Sequence, residues 1–134
     1  MRTGRGQALL ELALCAPVVL LLAIGTVASV QVASAHAGLE AATQAAAEAA
    51  ARAPSAQAAV AAGNQRFRDV VAGYPVRSAT LALSLGDFAR TGSVTASSSA
   101  SVDLTWAAFT LLPGRLALHS EVRVRIETWR SRTT

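Results

Sequence analysis

The chain has 134 residues, a formal net charge of +4 at pH 7 and a single cysteine. That length allows about one domain, and one cysteine excludes a disulfide within the chain. All basic residues are arginines, and they are spread along the sequence instead of being gathered on one helix. Aromatic side chains for base stacking are scarce, so we do not expect a nucleic-acid partner.

No catalytic or metal-binding pattern occurs in the sequence. The two histidines, His36 and His119, stand apart from any cysteine or carboxylate cluster, and the carboxylates occur singly. No glycine-rich phosphate-binding loop joins a strand to a helix. We therefore expect a protein that is not an enzyme, with no catalytic residue, no metal and no cofactor.

An uncharged, strongly apolar stretch runs from Leu12 to Ala35. The hydrocarbon core of a bilayer is about 30 Å thick and needs about 20 apolar residues of helix, so this stretch is long enough to span it. Arg2 and Arg5 precede the stretch, whereas Glu40 and Glu48 follow it. Because basic residues stay on the cytoplasmic side, the pattern predicts a single-pass protein of the cytoplasmic membrane with an extracytoplasmic C-terminal part.

Glu11 is a carboxylate at the N-terminal edge of this apolar stretch. It lies either in the headgroup zone, where it is simply solvated, or in a functional contact, since a charge in lipid is costly. Its neighbours favour the functional contact. Gly6 precedes Gln7, Glu11 is the fifth residue counted from Gln7, and the leader upstream of Gly6 carries Arg2 and Arg5.

This arrangement resembles the class III signal of type IV pilins, and residues 5–22 are similar to the N-terminus of the TadE-like family of tight-adherence (Tad) pilus proteins. In that family an Arg-Gly-x-Ala-x-x-Glu block precedes an apolar run with an early proline, which Pro17 matches. The resemblance implies that a prepilin peptidase cuts between Gly6 and Gln7. Major Tad pilins carry Glu-Tyr, whereas Leu12 follows the glutamate here, which favours a minor pilin or pseudopilin.

The resemblance also implies an assembly role for Glu11 and a set of partners. The carboxylate would pair with the new N-terminal amine of Gln7, on its own or a neighbouring subunit, and Pro17 would kink the helix. The implied partners are other pilin or pseudopilin subunits, the prepilin peptidase, the inner-membrane pilus assembly platform and the lipid bilayer. We expect a subunit that assembles through its apolar helix in adhesion or secretion and is incorporated in a pilus.

Two alternatives stay open at this point. The N-terminus could remain uncut, which would make the protein a single-pass, membrane-anchored extracytoplasmic binding domain. Residues 33–35 also form an Ala-Ser-Ala pattern that suits signal peptidase, and cleavage after Ala35 would release a secreted domain.

Periodicity divides the rest of the chain. Alanines with polar residues at spacing four predict that the membrane helix continues outward to about Arg52, where Pro54 ends it. Apolar residues at three- and four-residue steps predict an amphipathic helix over about residues 55–72. Alternating apolar and polar residues predict strands over 79–85, 94–104 and 116–126.

The elements together predict an α+β fold with a pilin-like layout: a long transmembrane helix, a second helix and a three-stranded antiparallel sheet. We divide the chain into a leader (1–6), a transmembrane and juxtamembrane helix (7–53) and a small extracytoplasmic domain (54–134). Helix 55–72 is expected to cover the apolar face of the sheet. The apolar residues of segment 106–112 either plug the end of the core or form an exposed patch for a partner or a surface.

Overall fold

The computed structural model describes residues 3–87 and 92–126. The elements are two helices, α1 (Thr3–Ala51) and α2 (Ala56–Val71), and three strands, β1 (Arg77–Ser84), β2 (Ser93–Asp103) and β3 (Arg115–Arg125). A short 3-10 helix (Thr105–Thr110) lies between β2 and β3. The strands form one antiparallel sheet in the order β1-β2-β3, which confirms the predicted α+β fold.

The junction between the two helices follows from local chemistry. Pro54 lacks an amide donor and disfavours helix at Ala53, so α1 ends just before it. Ser55 then caps α2, because its hydroxyl accepts a hydrogen bond from the amide of Ala58 at 3.2 Å. The chain therefore reverses within a few residues, and α2 returns along α1 as an antiparallel helical hairpin.

The outer half of α1, and not α2, covers most of the sheet. Its small residues Ala35, Ala42 and Ala46 are buried in one cluster with Val102 of β2 and Leu118 of β3. α2 packs along α1 and reaches β1 near Leu83. The expectation that helix 55–72 forms the main cover is thus wrong, because the alanine-rich face of α1 allows a closer approach of the sheet.

Two glycines set the distance between the helices of this hairpin. A Cβ added at Gly63 of α2 would lie 2.6 Å from Leu83 Cδ1 and 3.3 Å from the Ala46 carbonyl oxygen. A Cβ added at Gly38 of α1 would overlap the Tyr74 ring and lie 2.7 Å from Tyr74 Cβ. Tyr74 follows α2, so Gly38 provides the space in which the end of the hairpin closes.

We expect Gly38→Ala to destabilise the domain in spite of the higher helix propensity of alanine. The propensity gain is about 1 kcal/mol, whereas overpacking typically costs about 1–3 kcal/mol. The free energy of unfolding, measured by urea denaturation in detergent micelles, should fall. Gly25→Ala is the matched control, since a Cβ there meets nothing within 4 Å. A Tyr74→Gly background, which removes the Tyr74 Cβ together with the ring, should abolish the loss, and equal losses in both backgrounds would contradict the clash.

A polar pair lies in the interface between α1 and the sheet. Thr43 and Ser98 are 0% and 6% exposed, respectively, and their hydroxyl oxygens are 2.5 Å apart. Thr43 donates its own proton to the carbonyl oxygen of Leu39 at 2.6 Å, so Ser98 is the donor within the pair. Both buried hydroxyls are therefore satisfied.

The sheet has two distinct ends. One end carries Arg77, Asp103 and Arg115, and it lies beside α1 at Gln31, whose side-chain amide donates to the Asp103 carbonyl oxygen at 3.3 Å. The opposite end packs near Ala50 of α1, which is buried together with Val94 of β2. β2 therefore runs toward the N-terminal half of α1, and the connection after it lies at that side of the domain.

Candidate functional site

The N-terminal half of α1 is an exposed apolar helix. Residues 4–23 are all exposed, and the most apolar 18-residue window of the helix has no share buried within the described structure. Large side chains such as Leu9, Leu12 and Val19 are each more than 60% exposed. A soluble protein seldom leaves such a continuous apolar surface in water. The helix is long and apolar enough to cross a membrane, and it fits a membrane anchor.

Two hydroxyl side chains within this helix make local hydrogen bonds to its backbone. The Thr26 hydroxyl donates to the Leu22 carbonyl oxygen and the Ser29 hydroxyl to the Gly25 carbonyl oxygen, both at 2.8 Å. Such bonds four residues back remove the need for a water or protein partner. Pro17 lies within α1, which is helical on both sides of it. The helix is therefore suited to a lipid environment up to about Val30.

The predicted site residues lie on the first turns of this helix. Arg5, Gly6 and Gln7 are helical and exposed, and Glu11 follows Gln7 by four residues, so their side chains lie on the same helix face. Arg2 lies outside the described residues. Within residues 3–87 and 92–126, the Glu11 side chain makes no hydrogen bond or ion pair. The expected pairing with the Gln7 amine and the kink at Pro17 remain predictions.

The spacing of polar residues along α1 matches the thickness of a bilayer. Glu11 and Gln31 flank a segment without charge, and a helical rise of 1.5 Å per residue separates them by about 30 Å. Glu11 would then lie at one edge of the hydrocarbon and Gln31 at the other. A carboxylate at such an edge is available to a positive partner from a neighbouring chain.

Residues 6–52 match the family model of TadE-like proteins. The match confirms the resemblance predicted from the sequence, and its first residue is the glycine of the predicted processing site. A search of curated proteins and a search of solved structures gave no match. The TadE-like segment is therefore α1 itself, since the match begins three residues into that helix and ends one residue after it.

The TadE-like segment has two different surroundings. Its first part carries Gly6, Gln7 and Glu11 on an exposed helix, whereas its last part, from about Ala35, is the centre of the folded domain. One continuous helix thus carries both the residues that are expected to mediate assembly and the residues of the domain core. The similarity to TadE-like proteins covers about a third of the chain.

Gln31 is a residue whose structural role the sequence did not indicate. Its side-chain amide donates to the Asp103 carbonyl oxygen and accepts from the Trp106 indole nitrogen at 3.1 Å. Both ends of one side chain therefore connect α1 to the end of β2 and to the segment after it. The signal available in the sequence was its place as the single amide side chain within the uncharged stretch from Leu12 to Ala35.

Asp103 organises the turn that follows β2. Its Oδ1 atom accepts from the Thr105 amide at 3.0 Å and from the Thr105 hydroxyl at 2.6 Å. Arg77 Nε lies 3.8 Å from the other carboxylate oxygen. The Thr105 hydroxyl, its amide and the nearby Arg77 and Arg115 hold the pKa of Asp103 below its ordinary value.

We expect Thr105→Val to raise the pKa of Asp103 toward its ordinary value, because the substitution removes the donor with the largest effect. A carboxyl group with a lowered pKa stabilises the fold above its unfolded-state pKa, and that contribution is lost as the pH falls through the folded-state value. Carboxyl carbon chemical shifts, followed by NMR against pH, measure the change. Arg77→Gln should give a smaller rise. An unchanged Asp103 titration in Thr105→Val would contradict the assignment.

Proposed function

We propose that this protein is a minor pilin or pseudopilin of a Tad-type, type IV-like pilus. It is held in the cytoplasmic membrane by α1, with its N-terminus in the cytoplasm and its α+β domain outside. It assembles with other pilin or pseudopilin subunits through that helix, after processing by a prepilin peptidase and on an inner-membrane assembly platform. The role is structural and not enzymatic, in adhesion or secretion.

The observation that carries the proposal is the coincidence of three features on α1. The TadE-like match covers this helix, the helix is apolar and exposed over the length of a bilayer, and a carboxylate without a partner in the described residues stands at its edge. An unpaired carboxylate next to lipid is costly unless a cation approaches it. A subunit that inserts beside others can supply that cation.

The contacts of α1 argue against the alternative in which the chain is cut after Ala35 and secreted. Ala35 is fully buried, and Gln31 and Ala28 on its N-terminal side contribute to the domain. Cleavage after Ala35 would remove these contacts from the core. The fold therefore favours a chain that keeps the part of α1 that contributes to the domain, including Ala28 and Gln31.

The intact mass of the membrane-extracted protein tests the proposal. The chain should be expressed with and without a prepilin peptidase, and we expect loss of Met1 to Gly6 only when the active peptidase is present. Gly6→Leu is the control that should block the cut without affecting the fold, because a side chain there meets nothing within 4 Å. A chain that keeps its leader would support the membrane-anchored alternative, and one that begins at His36 would support the secreted alternative.

A further inference from the structure

The segment between β2 and β3 exposes an apolar surface. This segment, the β2–β3 loop (residues 104–114), is closed at its base by a hydrogen bond from the Leu104 amide to the Gly114 carbonyl oxygen at 2.9 Å. Leu111 is 99% exposed, Phe109 66% and Trp106 43%. Ala107 is buried and holds the 3-10 helix against the domain, so the large side chains are the ones that face outward. The alternative in which they plug the core is thus not what the structure shows.

The loop lies at the level where α1 would leave the bilayer. Trp106 donates its indole proton to Gln31, and Gln31 lies about 30 Å along the helix from Glu11. β2 runs toward the N-terminal half of α1, so the loop that follows it extends beyond the end of the sheet in that direction.

On the helix face that carries Gln31, residues that precede it in α1 are also partly or fully buried. Ala28 is 5% exposed, and Ile24 and Gly25 are partly covered, although residues 4–23 are exposed all round. The 3-10 helix follows the end of β2 at this end of the sheet and contacts α1. Seven residues of helix separate Ile24 from Gln31, so the covered strip reaches about 10 Å toward the membrane centre.

We propose that the β2–β3 loop inserts into the outer headgroup and acyl boundary of the same membrane that α1 crosses. Tryptophan is favoured at this boundary because its ring is apolar and its N–H needs a polar partner, which Gln31 provides. Phe109 and Leu111 then enter the acyl region to the depth of about 5–10 Å that is typical of interfacial segments. Arg77 and Arg115 lie at the same end of the sheet, within reach of lipid phosphates.

The occupant is a lipid surface because Trp106 places the loop beside Gln31, and the helix positions just before Gln31 expose apolar side chains, Val27 at 58% and Val30 at 63%. A partner protein would need to cover the loop while also displacing lipid from α1 at the same level. A second attachment point would hold the domain at one orientation to the membrane. The inference rests on the membrane insertion of α1, which is part of the proposed function, and the experiment separates the two.

Single-tryptophan variants in vesicles test the inference. Trp129→Phe leaves Trp106 as the sole tryptophan of the full-length chain. Two further reporters are built on Trp106→Phe with Trp129→Phe: Leu20→Trp within α1 and Ser84→Trp at the far end of the sheet. The vesicles contain phosphatidylcholine and phosphatidylglycerol with bromine on the upper acyl chain, and iodide serves as the aqueous quencher.

We expect the brominated lipids to quench most of the Trp106 emission and iodide to quench little of it, whereas the Ser84 reporter should behave in the opposite way. Phe109→Ser with Leu111→Ser should markedly reduce quenching by lipid, and Val60→Ser, at an exposed valine of α2, should not.

Iodide quenching of Trp106 together with lipid quenching of the Leu20 reporter would overturn the inference and leave the proposed function intact. Loss of lipid quenching at both Trp106 and the Leu20 reporter would overturn the inference and the proposed function together. Shielding of Trp106 only after other pilus subunits are added would assign the loop to a protein contact and overturn the lipid proposal.

Discussion

Glu11→Ala is expected to leave the protein in the membrane and to abolish its incorporation into an assembly. The substitution makes the apolar stretch more apolar, so insertion should not suffer. A charge pair formed next to lipid has a strong coupling, and removal of one member leaves the other charge without a partner. Co-purification with tagged partner subunits should fall by at least about tenfold, which corresponds to about 1.4 kcal/mol.

Two further variants make the Glu11 experiment specific. Glu11→Gln keeps the size of the side chain and removes the charge, so it should fail in the same way. Glu40 is an exposed carboxylate on the same helix, 3.7 Å from His36 Nδ1. The Glu40→Gln variant should assemble normally. Normal co-purification of Glu11→Ala would eliminate the assembly role of this residue and return it to a solvated side chain in the headgroup zone.

Leu39→Ala is expected to have the largest effect on the stability of the domain. Most buried residues of α1 are alanines, and Leu39, fully buried, is one of the largest side chains on its inner face. Truncation of a buried leucine costs about 2–5 kcal/mol, because the cavity adds to the lost transfer free energy. Natural domains are stable by only about 5–15 kcal/mol, so this loss is a large fraction of the free energy of unfolding.

Urea denaturation in detergent micelles, followed by tryptophan fluorescence, measures the free energy of unfolding of the Leu39→Ala variant. Leu39→Met conserves most of the volume and should cost less than about 1.5 kcal/mol. Val60→Ala, at a side chain that is 42% exposed, should have little effect. A loss below about 1 kcal/mol for Leu39→Ala would mean that the alanine-rich faces close around the gap.

The architecture was predictable because each element has its own period. Alanines and polar residues at helical spacing predicted α1 to about Arg52, and it ends at Ala51. Strict alternation predicted all three strands, including β2 with its run of serines, and β2 pairs with β3 over the whole of Ser93–Asp103. The TadE-like resemblance was predictable because Gly6, Glu11 and Pro17 combine in a spacing that few other segments share.

Which helix covers the sheet was harder to predict from the sequence. α2 has the clearer amphipathic pattern, so it was predicted to cover the sheet. The small residues of α1 instead allow this helix to pack closely against the sheet, which the periodicity of the sequence does not reveal. The structural role of Gln31 was missed because a single amide in the last part of an apolar stretch does not indicate which residues it contacts. Its partners, Asp103 and Trp106, lie more than 70 residues away in the chain.

The Thr43–Ser98 pair has a consequence for how the serine-rich strand is aligned. A shift of β2 by two residues would keep every side chain on its present face, so the alternation of apolar and polar residues alone does not exclude it. It would, however, bring Ala96 or Ala100 opposite Thr43 and leave the Ser98 hydroxyl without its acceptor in a dry interface. An unpaired buried hydroxyl costs about 1–3 kcal/mol. One hydrogen bond between two small side chains thus helps to select the observed alignment of β2, together with the fully buried Val94 and Val102.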